Sequence, residues 1–272
     1  MTRALALGLF VCLGCGEAGD PDALSEDTTA PLAWTAGERF ALVTVNRLTR
    51  DPLLGDPVCS INVQLGEANA DGAFPAADTE GACVVGGALP ELQSASFTAL
   101  DGGTMDLRVG GTVDAITVDD TNVGSPLSFE CARLESERSV GVTSLADESA
   151  TDALGAFVAE IPLQAAPTFS EPEELRAGVA LWPEGDIEVS WNGGLGDSVE
   201  LVLMPRDGSA PMVRCFADDD GDFAIPARLA DPYRAAGATL EVGRVGVEVR
   251  DVDGVEVRLA SRSATQLWLE LR

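Results

Sequence analysis

The chain has 272 residues and sets 45 acidic side chains against 17 basic ones, a formal charge of −28; so negative a surface repels phosphate backbones and excludes nucleic acid as a partner. It contains no histidine and every base is an arginine, which removes Ser-His-Asp and Cys-His nucleophile pairs, histidine-ligated zinc, and the Schiff-base, Ser-Lys and phosphate-loop chemistry that needs a lysine. Paired carboxylates stay open as a formal route to hydrolysis, but no pair stands out among the 45 acids, so no catalytic residue is assigned and the chain reads as a non-enzyme.

In chain order, residues 1–14 join one positive charge, Arg3, to a short apolar run over 4–13. That run is too short to span a bilayer and suits a signal peptide. It ends in Leu13-Gly14-Cys15-Gly16, and here the chain resembles bacterial lipoproteins, although Cys12 stands where a leucine is usual. The resemblance implies cleavage before Cys15 and acylation of it, and Gly16 in place of Asp implies the outer membrane. The alternative is an ordinary signal peptide cleaved near Ala18. Stable anchoring takes more than one acyl chain, each buried methylene adding about 0.8 kcal/mol. Residues 15–33 follow as a polar tether punctuated by Gly and Pro.

Residues 34–165 predict an all-β domain, a β-sandwich with strands at 40–45, 59–65, 82–85, 96–100, 105–109, 116–118, 127–131, 140–143 and 156–163, separated by Gly- and Asp-rich turns. Short helices are expected only at 151–154 and 227–236. The prolines and acids of 165–174 suit a connector. Residues 166–272 predict a second sandwich with an immunoglobulin-like count of strands. In it, Ile187, Val189 and Trp191 alternate with polar residues, runs at 199–203, 213–215 and 223–225 surround the acidic turn Asp218-Asp219-Asp220-Gly221-Asp222, and 267–271 closes the chain. Within 245–259, Asp253-Gly254 marks a tight primed hairpin turn. The carboxylates of the acidic turn are expected to face water, Trp191 to be a core residue at a strand end and Trp182, beside Pro183, to be exposed. From Thr168 onward, Glu188-Val-Ser-Trp191 and Arg214-Cys-Phe-Ala-Asp-Asp-Asp-Gly-Asp-Phe-Ala-Ile-Pro226 resemble the C-terminal module of uncharacterised bacterial outer-membrane lipoproteins with tandem β-sandwiches. The resemblance covers less than half the chain and implies fold and location, not an activity.

Beyond Cys15 the cysteines are Cys59, Cys83, Cys131 and Cys215, an even number that predicts two disulfides in an exported chain. Closing the short 59–83 loop favours Cys59–Cys83, leaving Cys131–Cys215 to staple the two domains, with two buried free thiols as the alternative for that second pair. Inside the first loop, Glu67, Asn69, Asp71 and Asp78 stand at ligand positions of an EF-hand-type calcium loop, with Gly72 at the sixth position. Glu in first place, Asp in last place, a proline at position nine and the lack of flanking helices favour a solvated acidic connection over a calcium site. No other cofactor is expected.

The composite expectation is an acidic, disulfide-bonded cell-surface lipoprotein, exported to the outer membrane with its domains periplasmic or surface-facing. It would act as a binding or structural module for a protein or glycan of the cell envelope or surface. A calcium-dependent adhesion or carbohydrate-binding protein is the alternative, and a carboxylate-based hydrolase a remoter one. Crowded carboxylates also predict greater stability in mild acid, about pH 5, than at about pH 8.

Overall fold

The computed structural model describes residues 37–51, 55–69, 78–80, 83–85, 97–118, 127–128, 131–135, 137–145, 150, 152, 154–176, 178–194, 198–208 and 211–270. Alternation of apolar and polar residues turns this chain into strands, as in β1 (Arg39–Arg50), where Ala41, Val43 and Val45 share one face. It continues through β2 (Val58–Ala68), β3 (Asp78–Glu80), β4 (Cys83–Val85), β5 (Phe97–Ala99), β6 (Gly103–Val109), β7 (Thr112–Val118) and β8 (Leu127–Ser128). A five-residue helix, α1 (Cys131–Glu135), precedes β9 (Ser139–Ser144) and β10 (Phe157–Pro162). Next come β11 (Phe169–Glu171), β12 (Glu174–Arg176), β13 (Val179–Leu181), β14 (Ile187–Trp191), β15 (Ser198–Pro205), β16 (Val213–Asp218) and β17 (Asp222–Ile225). One helical turn, α2 (Ala227–Ala230), runs into a 3-10 turn at Asp231–Tyr233 before the long strands β18 (Ala238–Val252) and β19 (Val255–Glu270).

The fold is all-β. One twelve-stranded sheet runs in the order β3-β4-β16-β15-β18-β19-β1-β2-β5, with β8, β12 and β13 attached beside this path. A four-stranded sheet, β10-β9-β6-β7, and a three-stranded sheet, β11-β14-β17, complete it. The β18–β19 hairpin is the spine, since strands of 15 and 16 residues extend about 50 Å. Its turn is the expected one: Asp253 and Gly254 both take positive φ, 54° and 80°, as a primed two-residue turn requires.

Odd-numbered residues of β19 point to one face throughout, and two cores sit at its two ends. Val255, Val257 and Leu259 join the first core, with Ile61, Val63, Leu65, Leu107 and Val142. Leu267 and Leu269 join the second, with Trp191, Leu201, Leu203, Tyr233 and Leu240. The four-stranded sheet closes the first core and the three-stranded sheet the second. Val255, Val257 and Leu259 enter the first core and Cys83 the second, so residues from both sides of 165/166 share each core, and the hydrogen-bonded sheet is continuous. Strand β19 pairs with β1 in parallel from Phe40↔Glu256 to Arg50↔Gln266, β4 adds to β16, and residues 31–272 belong to one compact unit.

Between the cores the inner face turns polar. Residues 163–168 run across it without regular structure, held by Ser261 Oγ donating to Pro162 O at 2.6 Å, Thr265 Oγ1 donating to Pro167 O, and Arg244 Nη1 donating to Ala165 O at 2.9 Å. These small hydroxyls inside a strand are what satisfy the carbonyls of a connector that no sheet can pair.

Several expectations need correction. Of the strand expected at 127–131, Leu127 and Ser128 form a short strand, while Cys131 opens α1. No helix includes Asp152 or Leu154; Asp152 lies in a turn whose N–H donates to Asp101 O. The hairpin expected at 245–259 is present and longer than expected, with Leu267–Glu270 of the expected last strand continuing β19.

Candidate functional site

Cys15 and the tether lie outside the described residues, as does Asp71. Glu67 is an exposed residue of β2, paired with Arg39 and Thr98 across the sheet. Asn69 Oδ1 accepts from Thr98 Oγ1 at 2.7 Å, and Asp78 opens β3 opposite Val85. Two of the four positions proposed for calcium thus belong to the sheet. Among the described residues no group of three or more His, Cys, Asp or Glu side chains is placed to hold a metal ion.

All four later cysteines are paired, but as Cys59–Cys131 and Cys83–Cys215. The expected Cys59–Cys83 and Cys131–Cys215 pairs are corrected for a topological reason. Cys59 belongs to the first core, where α1 brings Cys131. Cys83 crosses to the second core, because β4 lies against β16 with Cys83 directly opposite Cys215. The bonds span 72 and 132 residues, which chain entropy alone values at about 4 to 5 kcal/mol each taken singly. The two loops interleave, so their effects are not additive.

The acidic turn is the next correction. It carries the chain from β16 in the large sheet to β17 in the three-stranded one. Gly221 takes the positive φ, 109°. A side chain on Gly193 would strike the backbone of Asp220 and Gly221 at 2.6 to 2.8 Å, so the turn is pressed against the loop that follows β14. Trp191 N–H donates to Gly221 O at 2.8 Å. Asp219 is therefore driven inside, not toward water, and is only 6% exposed. Its Oδ2 accepts from Arg244 Nε at 2.8 Å and its Oδ1 from Trp191 Nε1 at 2.7 Å, both groups being buried. Arg244 is wholly buried and also donates to the carbonyls of Ala165 and Asn192. Trp191 is the core tryptophan expected. Trp182 is buried rather than exposed, packed in the second core with Arg234 over its ring at 5.7 Å.

A second ionic group lies on the opposite face of the large sheet, where even-numbered residues of β15 and β19 and odd-numbered residues of β18 point. Glu200 Oε1 accepts from Arg214 Nε at 2.7 Å, and its Oε2 from Arg262 Nε at 2.6 Å. Arg262 Nη2 donates to Glu241 Oε2 at 3.0 Å, and Gln266 Nε2 to Glu241 Oε1 at 2.9 Å. Arg262 on β19 must cross β18 to reach β15. It passes over Gly243, where a Cβ would crowd its Nε at 3.2 Å and its Cγ at 3.3 Å. Burial pushes the Glu200 carboxyl up, but the Arg262 and Arg214 guanidiniums outweigh it and hold it below the ordinary value of 4.5. Burial likewise pushes Arg262 down, and Glu200 with Glu241 outweigh that and raise it. Both oxygens of Glu200 and of Glu241 are engaged, so the cluster locks strands together and offers no open acid, base or ligand. Alternating charges at these positions were visible in the sequence; the gap at Gly243 that joins them was not.

The comparisons with known proteins add no relative: no family model, no curated protein and no solved structure matches the chain.

Proposed function

We propose that the chain is an exported bacterial lipoprotein, anchored to the outer membrane through acylated Cys15, whose β-structure serves as a non-enzymatic binding or structural module. The observation that supports this most is the pairing of all four cysteines after Cys15 in two disulfides. Such bonds persist in oxidising compartments outside the cytosol, the destination implied by the apolar run and the Leu13-Gly14-Cys15 junction. The two ionic groups favour the non-enzymatic half of the reading, because each charge is spent on holding segments together. The partner class that follows is a protein or glycan of the envelope or cell surface.

The test is metabolic labelling with an alkyne-tagged fatty acid, followed by membrane fractionation. The wild-type chain should take up label and sediment with outer membranes, and Cys15→Ser should do neither. Unchanged membrane fractionation of an unlabelled Cys15→Ser chain would overturn the anchor.

A further inference from the structure

The far half of β18 is an open edge. Because Val252 and Val255 flank a two-residue primed turn, they exchange hydrogen bonds with each other. Even-numbered residues of β18 therefore turn their backbone groups toward β19 and odd-numbered ones turn them away. Strand β15 takes the outward groups as far as the Ser198↔Val245 pair. Among the described residues no strand pairs with Val247, Val249 or Asp251 on that side. Val247 and Val249 are also exposed, at 58% and 54%.

Two of the devices that usually blunt such an edge, a proline and a bulge, are missing. There is no proline in β18, and its register with β19 runs from Ala238 to Val252 without a bulge. The Asp251 carboxylate folds back to accept Gly254 N–H at 3.2 Å. Glu248 and Arg250, on the other face, neutralise each other at 2.6 Å.

We propose that this edge, residues 246–252, pairs antiparallel with the same edge of a second copy, about a two-fold axis through Val249. The occupant and register follow from charge. Outward-facing residues must meet outward-facing residues, so only registers shifted by whole pleats are available. Centring on Val249 sets Glu248 opposite Arg250 of the second copy, twice, and Val249 opposite Val249. Centring one residue earlier sets Glu248 against Glu248; one residue later sets Arg250 against Arg250. Like charges directly opposite destabilise a pair and opposite charges support it. The chosen register forms about six backbone hydrogen bonds between copies. Seven residues from each copy bury far less than the roughly 1,600 Å² of a standard interface, so the dimer is weak. The net charge of −28 on each copy makes it tighter in salt.

The test uses the full-length chain in about 0.5 M salt. In the proposed register the two Cα atoms of residue 249 lie about 5.5 Å apart, inside disulfide range, while those of residue 247 lie about 13 Å apart. Val249→Cys should therefore oxidise to a covalent dimer and Val247→Cys should not, with peptide mapping confirming the 249–249 bond. Sedimentation of the wild type should show the dimer. Glu248→Arg should weaken it at least about tenfold, and the double variant Glu248→Arg/Arg250→Glu should restore it. A wild-type chain that stays monomeric at millimolar concentration, equal crosslinking at 247 and 249, or a double variant no better than the single one would each overturn the proposal.

Discussion

The two cores lie on the same face of one sheet yet are built differently. The first is aliphatic: its buried members are Ala, Val, Leu, Ile, Met and Cys. The second contains Trp182, Trp191 and Tyr233, and large aromatics bring polar tips that need partners when buried. Tyr233 Oη donates to Pro211 O, and Trp191 Nε1 to Asp219. Asp219, brought inside to serve the indole, then requires a buried cation, which Arg244 supplies. The difference teaches that the second core is held by directional bonds as well as by volume. Its weak points are therefore single polar atoms, whereas those of the first core are methyl groups.

The largest break should come from that buried pair. Arg244 and Asp219 side chains are 0% and 1% exposed, and removing one partner of such a pair costs about 3–5 kcal/mol by leaving an uncompensated charge inside. Asp219→Ala should lower the melting temperature by roughly 10 °C, read by calorimetry. Replacing both, as Asp219→Leu/Arg244→Met, should recover much of the loss, since a well-packed apolar pair can match a buried ion pair. If the double variant is as unstable as the single one, the carbonyls of Ala165 and Asn192, rather than the pair, dominate the site.

How much of this was legible follows from the same contrast. The first core is written in alternation: β1, β2, β6 and β9 were expected from Val, Leu, Ile and Met at every second position, and the Asp253-Gly254 turn from its dipeptide. The junction was not, because Arg244, Ser261 and Ser263 occupy inward positions where alternation demands apolar residues. Polar residues there split one long hairpin into apparent fragments, though Arg244 meets a carboxylate and Ser261 a backbone carbonyl that only the fold brings near. Asp219 was misread for a related cause: nothing local distinguishes one aspartate among four when burial is imposed by a loop distant in sequence. The cysteine pairing depended on β4 crossing to β16, a long-range pairing with no local spelling.

A middle-sized effect sharpens the role assigned to polar tips. Trp191 Nε1 has its acceptor in Asp219, whereas Trp182 Nε1, equally enclosed, has no hydrogen-bond partner among the described residues. Both Trp→Phe changes remove similar volume. Trp191→Phe should nevertheless cost about 1 kcal/mol more, since it also takes a bond from a buried charged group, which corresponds to about 2–4 °C. Equal melting temperatures for the two variants would mean that volume alone governs the second core.

The smallest expected effect concerns pH and the outer face. Burial alone would raise the Glu200 carboxyl, but Arg262 and Arg214 bring its folded-state value below 4.5. Between those two values the unfolded chain binds more protons at this group than the folded chain does. Its contribution is therefore complete above about pH 4.5 and is lost as pH falls through the lowered folded value. That sign is opposite to the diffuse repulsion expected of 45 acids, which is relieved as pH falls. The two act in different windows, so stability should rise from about pH 8 to about pH 5 and then turn down in stronger acid. Glu200→Gln isolates the second limb. At neutral pH it should be less stable than wild type, with Arg214 and Arg262 left short of a counter-charge, and the gap should close as acid protonates Glu200 in the wild type. Denaturant titrations of both chains from about pH 7 to about pH 3 would show converging curves. A gap that stays constant over that range would mean that Glu200 is held by packing and hydrogen bonds alone, and that the charge relay across Gly243 adds nothing to the sheet.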